Sequence, residues 1–300
     1  MSAHSIAIAP HRFAFGYYRQ VWWNWRIGTA FFCGGIGAGT FLISLLTGHP
    51  LGMLVGYLIV MVGKNTAHLL YLGRPERFWR AAMRPDRSWI ARGIWATGLL
   101  GASGGMLLLP YLFGPAWELP AVLHIVTAGV AVLSSFFIMF YDGLVMNMSA
   151  AIAFWHTRML PLLVLMYAAL GGTTLCLTIR ELAGGEVFGT SWLKRAEYAL
   201  LVANLVLLCV YLVRMWRQKS AAHETVRLWL QGPYARFFFG LILLVGLGAT
   251  VVLNLVQSQS QTSWLAVLIA VTELTGDFTL MMLLLKSGLF APQTAKAYAI

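Results

Sequence analysis

The stretch KNTAHLLYLGRPERFWR, residues 64–80, decides how this chain is read, because its first half closes an apolar window and its second half is crowded with arginine. A helix crossing a hydrocarbon core about 30 Å thick needs about 20 predominantly apolar residues. Residues 51–72 supply that length, and the arginines that follow mark the point where the chain leaves the bilayer. Outward from it, seven more windows of the same kind occur at about 27–47, 93–113, 119–141, 159–179, 196–216, 236–256 and 264–286. The composition agrees: 59% of residues are apolar, 10% are charged, and the mean hydropathy is +0.75. These values describe an all-α integral membrane protein with eight transmembrane helices, and exclude a water-soluble domain. The pieces between the windows (1–26, 73–92, 142–158 and 217–235) are too short to build a core of their own, so residues 1–300 are expected to form a single membrane domain. Residues 1–26 show no apolar signal-peptide core, so the first helix is expected to direct insertion.

The net charge of +11 does not point to nucleic acid, because the basic residues sort by membrane side. With eight spans, both termini share one side. That side carries seventeen of the 21 Lys and Arg, including Arg12, Arg19, Arg26, Lys219, Lys296 and six arginines in the loop between helices 2 and 3. The opposite side carries Arg180, Lys194 and Arg195, and Lys64 lies within helix 2. The positive-inside rule then predicts a multi-pass protein of a bacterial inner membrane, with both termini and the 2–3 loop in the cytoplasm and its arginines against membrane lipid. Cys33, Cys176 and Cys209 fall in three different windows, which excludes a cysteine-held cluster; iron–sulfur centres would sit in a partner.

Helix 1 contains CGGIGAGT, residues 33–40, which looks like a dinucleotide-binding glycine loop but follows no strand. Its small residues at Ala30, Gly34 and Ala38, and at Gly35 and Gly39, recur every four positions and predict close helix packing. In helix 2, Lys64, His68 and Tyr71 share one face at i, i+4 and i+7, with Lys64 about 12 Å and His68 about 6 Å below the helix end. A charge at that depth costs at least about 2.5 kcal/mol and requires a partner. Helix 8 offers Glu273 and Asp277, one turn apart, as that partner and as a proton path.

Other polar groups gather at the cytoplasmic end. Asn24 lies among Trp22, Trp23 and Trp25, and Tyr141 and Asp142 close the helix 4 window in FYDGL. Aromatic rings, hydrogen-bonding groups and a buried lysine at one membrane face suit a quinone, whose ring stacks and whose oxygens require donors and protons. No haem or metal is expected in this chain, because His68 and His124 lie near opposite surfaces, some 15 Å apart along the normal of a core of about 30 Å. A secondary transporter coupled through Lys64, Glu273 and Asp277 is a competing reading. Transporter folds interrupt helices near mid-membrane, and none of these windows has a central Pro-Gly break. A purely structural anchor is the third reading.

The run YLGRPERFWRAAMRPDRSWIARGIW, residues 71–95, resembles the loop after helix 2 in the polysulfide reductase membrane-subunit family, the NrfD/PsrC-like proteins. Leu72, Gly73, Arg74, Pro75, Arg77, Phe78, Ser88, Gly93 and Trp95 carry the match, and the WNWRIGTAFFCGGIGAGTF and FYDGL stretches are similar to the family's helix 1 start and helix 4 tyrosine. The resemblance implies eight helices in two four-helix bundles and a membrane anchor that exchanges electrons between a quinone (ubiquinone or menaquinone) and a four-cluster iron–sulfur subunit. A large molybdopterin- or tungstopterin-containing catalytic subunit completes such a complex. The quinone site implied falls at Asn24 and Tyr141, and Arg74 and Arg77 are expected to dock the iron–sulfur partner. Tyr71 stands where relatives carry His or Asp, and Gly93 where one type carries Glu, which leaves His68 as the substitute proton carrier. A cytoplasmic docking face implies quinone reduction, as in the sulfite-oxidising and phenylacetyl-CoA-oxidising members.

Overall fold

The computed structural model describes residues 17–183, 190–218, 220–260 and 262–290. Of the basic residues counted above, Arg12, Lys219 and Lys296 lie outside them. Eight helices in the described chain are long and apolar enough to cross a membrane: α1 Trp25–Leu46, α2 Pro50–Tyr71, α3 Trp89–Phe113, α4 Ala121–Asn147, α5 Met159–Ala183, α6 Ser191–Trp216, α7 Ala235–Gln259 and α8 Ser263–Lys286. The all-α membrane architecture is therefore as the sequence predicts.

The centre of the molecule is the pair α1 and α5. Each buries 67% of its most apolar window, against 28% for α2 and 22% for α7. Glycine makes this possible. A Cβ at Gly39 would run into the Ala168 carbonyl oxygen, and one at Gly35 would lie 3.2 Å from Ala168 Cβ. A Cβ at Gly56 of α2 would collide with the backbone of Phe41. The CGGIGAGT run is thus a packing surface, as its four-residue spacing predicts. Around this spine α1 packs against α2, α4 and α8, and α5 against α4, α6 and α8.

Two features were not legible. The middle of α2, Ile59–Lys64, and nearly half of α7, Phe238–Ala249, are π-helical. An i→i+5 turn inserts a residue and rotates everything beyond it, which re-aims the polar positions that follow. Second, α4 continues to Asn147 rather than stopping near 141. No proline or turn residue interrupts LVMN after Gly143, and Gly143 itself fits because α4 crosses the backbone of Pro161 there.

The chain ends are tied together. β1, Tyr18–Arg19, pairs antiparallel with β2, Leu289–Phe290, and the Gln20 side-chain amide donates to Leu285 O at 2.7 Å. The 217–235 piece, too short for a core of its own, contains a helix, Ala221–Leu230, whose Trp229 indole donates to Ser287 Oγ at 2.8 Å. Its buried face is Ala221, Ala222, Thr225, Val226 and Trp229. The segment before α1, the α6–α7 connection and the end of α8 therefore meet at one end of the molecule.

Candidate functional site

Lys64 ends the π-helical stretch of α2 and is 5% exposed. Its Nζ donates to Thr97 Oγ1 at 2.8 Å, and Thr97 Oγ1 in turn donates to Gly93 O at 2.8 Å. The lysine stem passes over Gly34 of α1. A methyl group at Gly34 would lie 3.0 Å from Lys64 Cδ and 3.8 Å from Asp142 Oδ2. Asp142 is fully buried, and neither of its carboxylate oxygens has a hydrogen-bond partner among the described residues. The acid that faces Lys64 is therefore Asp142, and not Glu273 or Asp277 as expected. The correction follows from the length of α4: with the helix running to Asn147, Asp142 lies more than a turn inside it.

Gly93 explains the neighbouring tyrosine. A Cβ there would strike Cε2 and Cζ of Tyr141, so the ring occupies the space that any side chain at position 93 would need. Tyr141 is 5% exposed and is backed by Phe137, at 6.1 Å between ring centroids. Phe137 stacks on Trp89 at the start of α3, and the Arg92 guanidinium lies 4.4 Å from that indole. Ser88 caps α3 by accepting from Ala91 N at 3.2 Å, and Trp95 Nε1 donates to Ala82 O at 3.0 Å. These contacts fix the connection between α2 and α3 against α3.

His68 and Tyr71 form the other wing. His68 Nδ1 lies 3.2 Å from the Lys64 carbonyl oxygen, and its ring centroid is 6.2 Å from Phe31. The Tyr71 hydroxyl donates to Trp22 O at 3.2 Å, and Arg26 donates to Leu70 O at 2.7 Å, which binds the start of α1 to the end of α2. Lys64 thus joins both wings, through its carbonyl on one side and its ammonium on the other. Asn24 has a local role: its side chain accepts from Arg26 N at 3.0 Å and caps α1. Arg74 and Arg77 stand exposed beside Pro75, and the Arg77 guanidinium lies 3.9 Å from the Glu76 carboxylate.

Glu273 and Asp277 do share one face, and both are buried, at 1% and 6% exposure. Their surroundings lie in the second half of the chain. Thr174 Oγ1 is 2.8 Å from Glu273 Oε2 and 2.9 Å from Glu197 Oε1. The sequence reading missed Glu197, a lone acid at the edge of the helix 6 window, and Thr97, a hydroxyl that composition cannot distinguish from packing. The usable signal was acidic and hydroxyl residues inside apolar windows. Among the described residues, no group of three His, Cys, Asp or Glu side chains gathers as metal ligands would.

A family model described as polysulphide reductase, NrfD, matches residues 15–293. The chain belongs to the NrfD family. NrfD proteins are membrane subunits of quinone-reactive oxidoreductase complexes, and this chain is a multi-pass member of that group. A comparison with individually curated proteins gives no match.

Proposed function

We propose that this NrfD chain is the membrane anchor and quinone-reactive subunit of a molybdenum or tungsten bis-pterin oxidoreductase. It passes electrons from a four-cluster iron–sulfur subunit to ubiquinone or menaquinone. The observation that carries this reading is the convergence on Lys64: a buried ammonium hydrogen-bonded to Thr97, facing Asp142, with the Tyr141 ring set into the gap at Gly93. A bound quinone supplies two-electron, two-proton chemistry. The chain's residues supply the rest. The Tyr141 ring and hydroxyl lie against Gly93, and the hydroxyl is suited to donate to a carbonyl oxygen. Lys64 places a positive charge where electron density builds on that oxygen, and Asp142, whose oxygens are otherwise unsatisfied, is placed to hold or release the proton. His68, held to the carbonyl of the same lysine, and Tyr71, bonded to Trp22 O, extend toward the aqueous face.

Arg74 and Arg77 serve docking, on an exposed loop that also presents Phe78 and Trp79 at 50% and 51% exposure. The lysine and arginine asymmetry supports a cytoplasmic docking face, and with it the direction toward quinone reduction. The test uses the complete complex. Tyr141→Phe and Lys64→Met are expected to lower quinone-linked turnover by about tenfold or more, and dye-linked turnover of the catalytic subunit much less. Equal losses in both assays would reduce the chain to a structural anchor. A C-terminal reporter found outside the cytoplasm would reverse the assigned orientation.

A further inference from the structure

The second half of the chain holds a buried polar cluster that the quinone reading does not use. Its geometry fixes a proton. Thr174 Oγ1 lies 2.9 Å from Glu197 Oε1 and 2.8 Å from Glu273 Oε2, yet a hydroxyl has one hydrogen and donates to one acceptor. The other contact is a hydrogen bond only if that carboxyl group donates its own proton to the threonine oxygen. Glu197 also accepts from the Asn254 side chain, whereas Glu273 Oε1 has no partner among the described residues, and two ionised carboxylates would set like charges on either side of one hydroxyl at 2% and 1% exposure. The rest of the cluster is also short of partners. Glu273 Oε1, Asp277 Oδ2 and the Tyr167 hydroxyl are buried with no hydrogen-bond partner among the described residues.

A small cavity reaches this cluster. It has about 10 Å³ of space for water centres, room for about one molecule, and is lined by Thr174, Glu197, Asn254 and Gln257. Gln257 is 8% exposed and its side-chain nitrogen is unpaired, so the cavity wall carries a polar atom with nothing to bond. The outer wall is Glu181 and Lys194, which pair at 2.9 Å with side chains 26% and 41% exposed. These two lie toward the membrane face opposite the arginine loop. Asp277 lies one turn deeper than Glu273, and beyond it the buried positions of α8 are Thr279, whose hydroxyl donates to Thr275 O within the helix at 2.7 Å, and then Leu280, Met281, Leu283, Leu284 and Leu285. The polar track stops there.

We infer that Glu197, Thr174 and Glu273 hold one shared proton, exchanged through the Glu181–Lys194 mouth with the membrane face opposite the quinone end. Transfer breaks one O–H bond and forms another: the carboxyl of one glutamate gives its proton to Thr174 Oγ1 as Thr174 gives its own to the other glutamate. The cluster is a proton store with one mouth. This inference stands on the carboxylate geometry and is independent of the quinone assignment.

The full chain, reconstituted in lipid nanodiscs, tests it by infrared spectroscopy. A carbonyl stretch of a protonated carboxylic acid is expected, shifting on transfer to D2O. Glu197→Gln and Glu273→Gln, each shaped like the protonated acid, are both expected to change it. The unmodified chain gives a second readout: dicyclohexylcarbodiimide, which attacks protonated carboxyl groups in apolar surroundings, should label Glu197 or Glu273. A band unchanged in both variants, a band that does not shift in D2O, or labelling confined to other acids would overturn the inference. Loss of the band on adding sodium would replace the proton with a metal cation.

Discussion

The two halves of the chain solve one problem with opposite charges. In the first half a threonine hydroxyl, Thr97, meets a buried lysine and an aspartate stands nearby. In the second a threonine hydroxyl, Thr174, meets two buried glutamates with an aspartate one turn on. Each half uses a glycine of a central helix to admit the acid. Gly34 of α1 lies beside Lys64 and Asp142, and a Cβ at Gly171 of α5 would lie 3.0 Å from Asp277 Oδ2. The difference is that a lysine and an aspartate can both be ionised and still sum to zero, whereas a set of acids in a low-dielectric interior reaches neutrality only by keeping protons. On the readings proposed above, the first half holds fixed charge beside the quinone and the second holds exchangeable protons.

The largest expected effect removes the comparison altogether, because both halves hang on the α1–α5 contact. Gly39→Leu drives a side chain into the backbone of α5, which cannot give way as a flexible side chain would. Overpacking usually costs about 1–3 kcal/mol, and a backbone collision exceeds that range. No monodisperse protein is expected on size-exclusion chromatography. Gly98→Leu and Gly129→Leu, at positions where an added Cβ meets nothing within 4 Å, should both yield normal protein. If all three behave alike, the glycine spine is not what holds the halves together.

Next is the charge balance. Lys64→Met leaves Asp142 buried without a counter-charge, and Asp142→Asn does the same to Lys64. Breaking a buried pair costs about 3–5 kcal/mol, while replacing both members costs far less. Lys64→Met combined with Asp142→Leu is therefore expected to be more stable in thermal denaturation than either single change. Glu273→Gln, which keeps the protonated acid's shape, is expected to cost about 1 kcal/mol or less. Equal sensitivity in the two halves would break the contrast between fixed charge and stored proton. Between these lies Gly93→Ala, which forces Tyr141 out of its place at a cost of about 1–3 kcal/mol. It should also lower quinone-linked turnover.

Most of the fold was legible because its signals are long. Eight apolar windows and a glycine repeat each extend over many residues, so a few exceptions do not blur them. The site was legible only in part, for a local reason. The polar stripe Lys64, His68 and Tyr71 follows from helix period, but its partner depended on where α4 ends. A helix end is set by the absence of a stop after Gly143, a weak signal one residue at a time. The window ending at 141 placed Asp142 at the surface, so the nearest buried acids on offer were those of α8. Glu197 was overlooked because an acid near a window's edge reads as an aqueous flank. Only the third dimension, which brings α5, α6 and α8 to one hydroxyl, gives it company. The π-helical stretches have no sequence period of their own to detect.

The smallest effect concerns the far end of the spine, where the α1–α2 turn meets α5. His49 caps α2 through Nδ1, which accepts from Gly52 N at 3.2 Å, and is 7% exposed. The Arg180 guanidinium nearby donates to Thr47 O at 3.1 Å. Burial, and then the positive charge of Arg180, hold the His49 pKa below its ordinary value of about 6.5. The folded chain therefore keeps His49 neutral where the unfolded chain takes up a proton. Stability is then complete above pH about 6.5 and falls as pH drops below it, by no more than about 1.4 kcal/mol per pH unit for one proton. A protonated ring would also lose the lone pair that caps the helix. His49→Asn retains a capping acceptor without a titrating group. The melting temperature of the unmodified chain should fall more steeply between pH 7 and pH 5 than that of the variant. Parallel curves would mean that the turn at His49 is no part of the acid sensitivity.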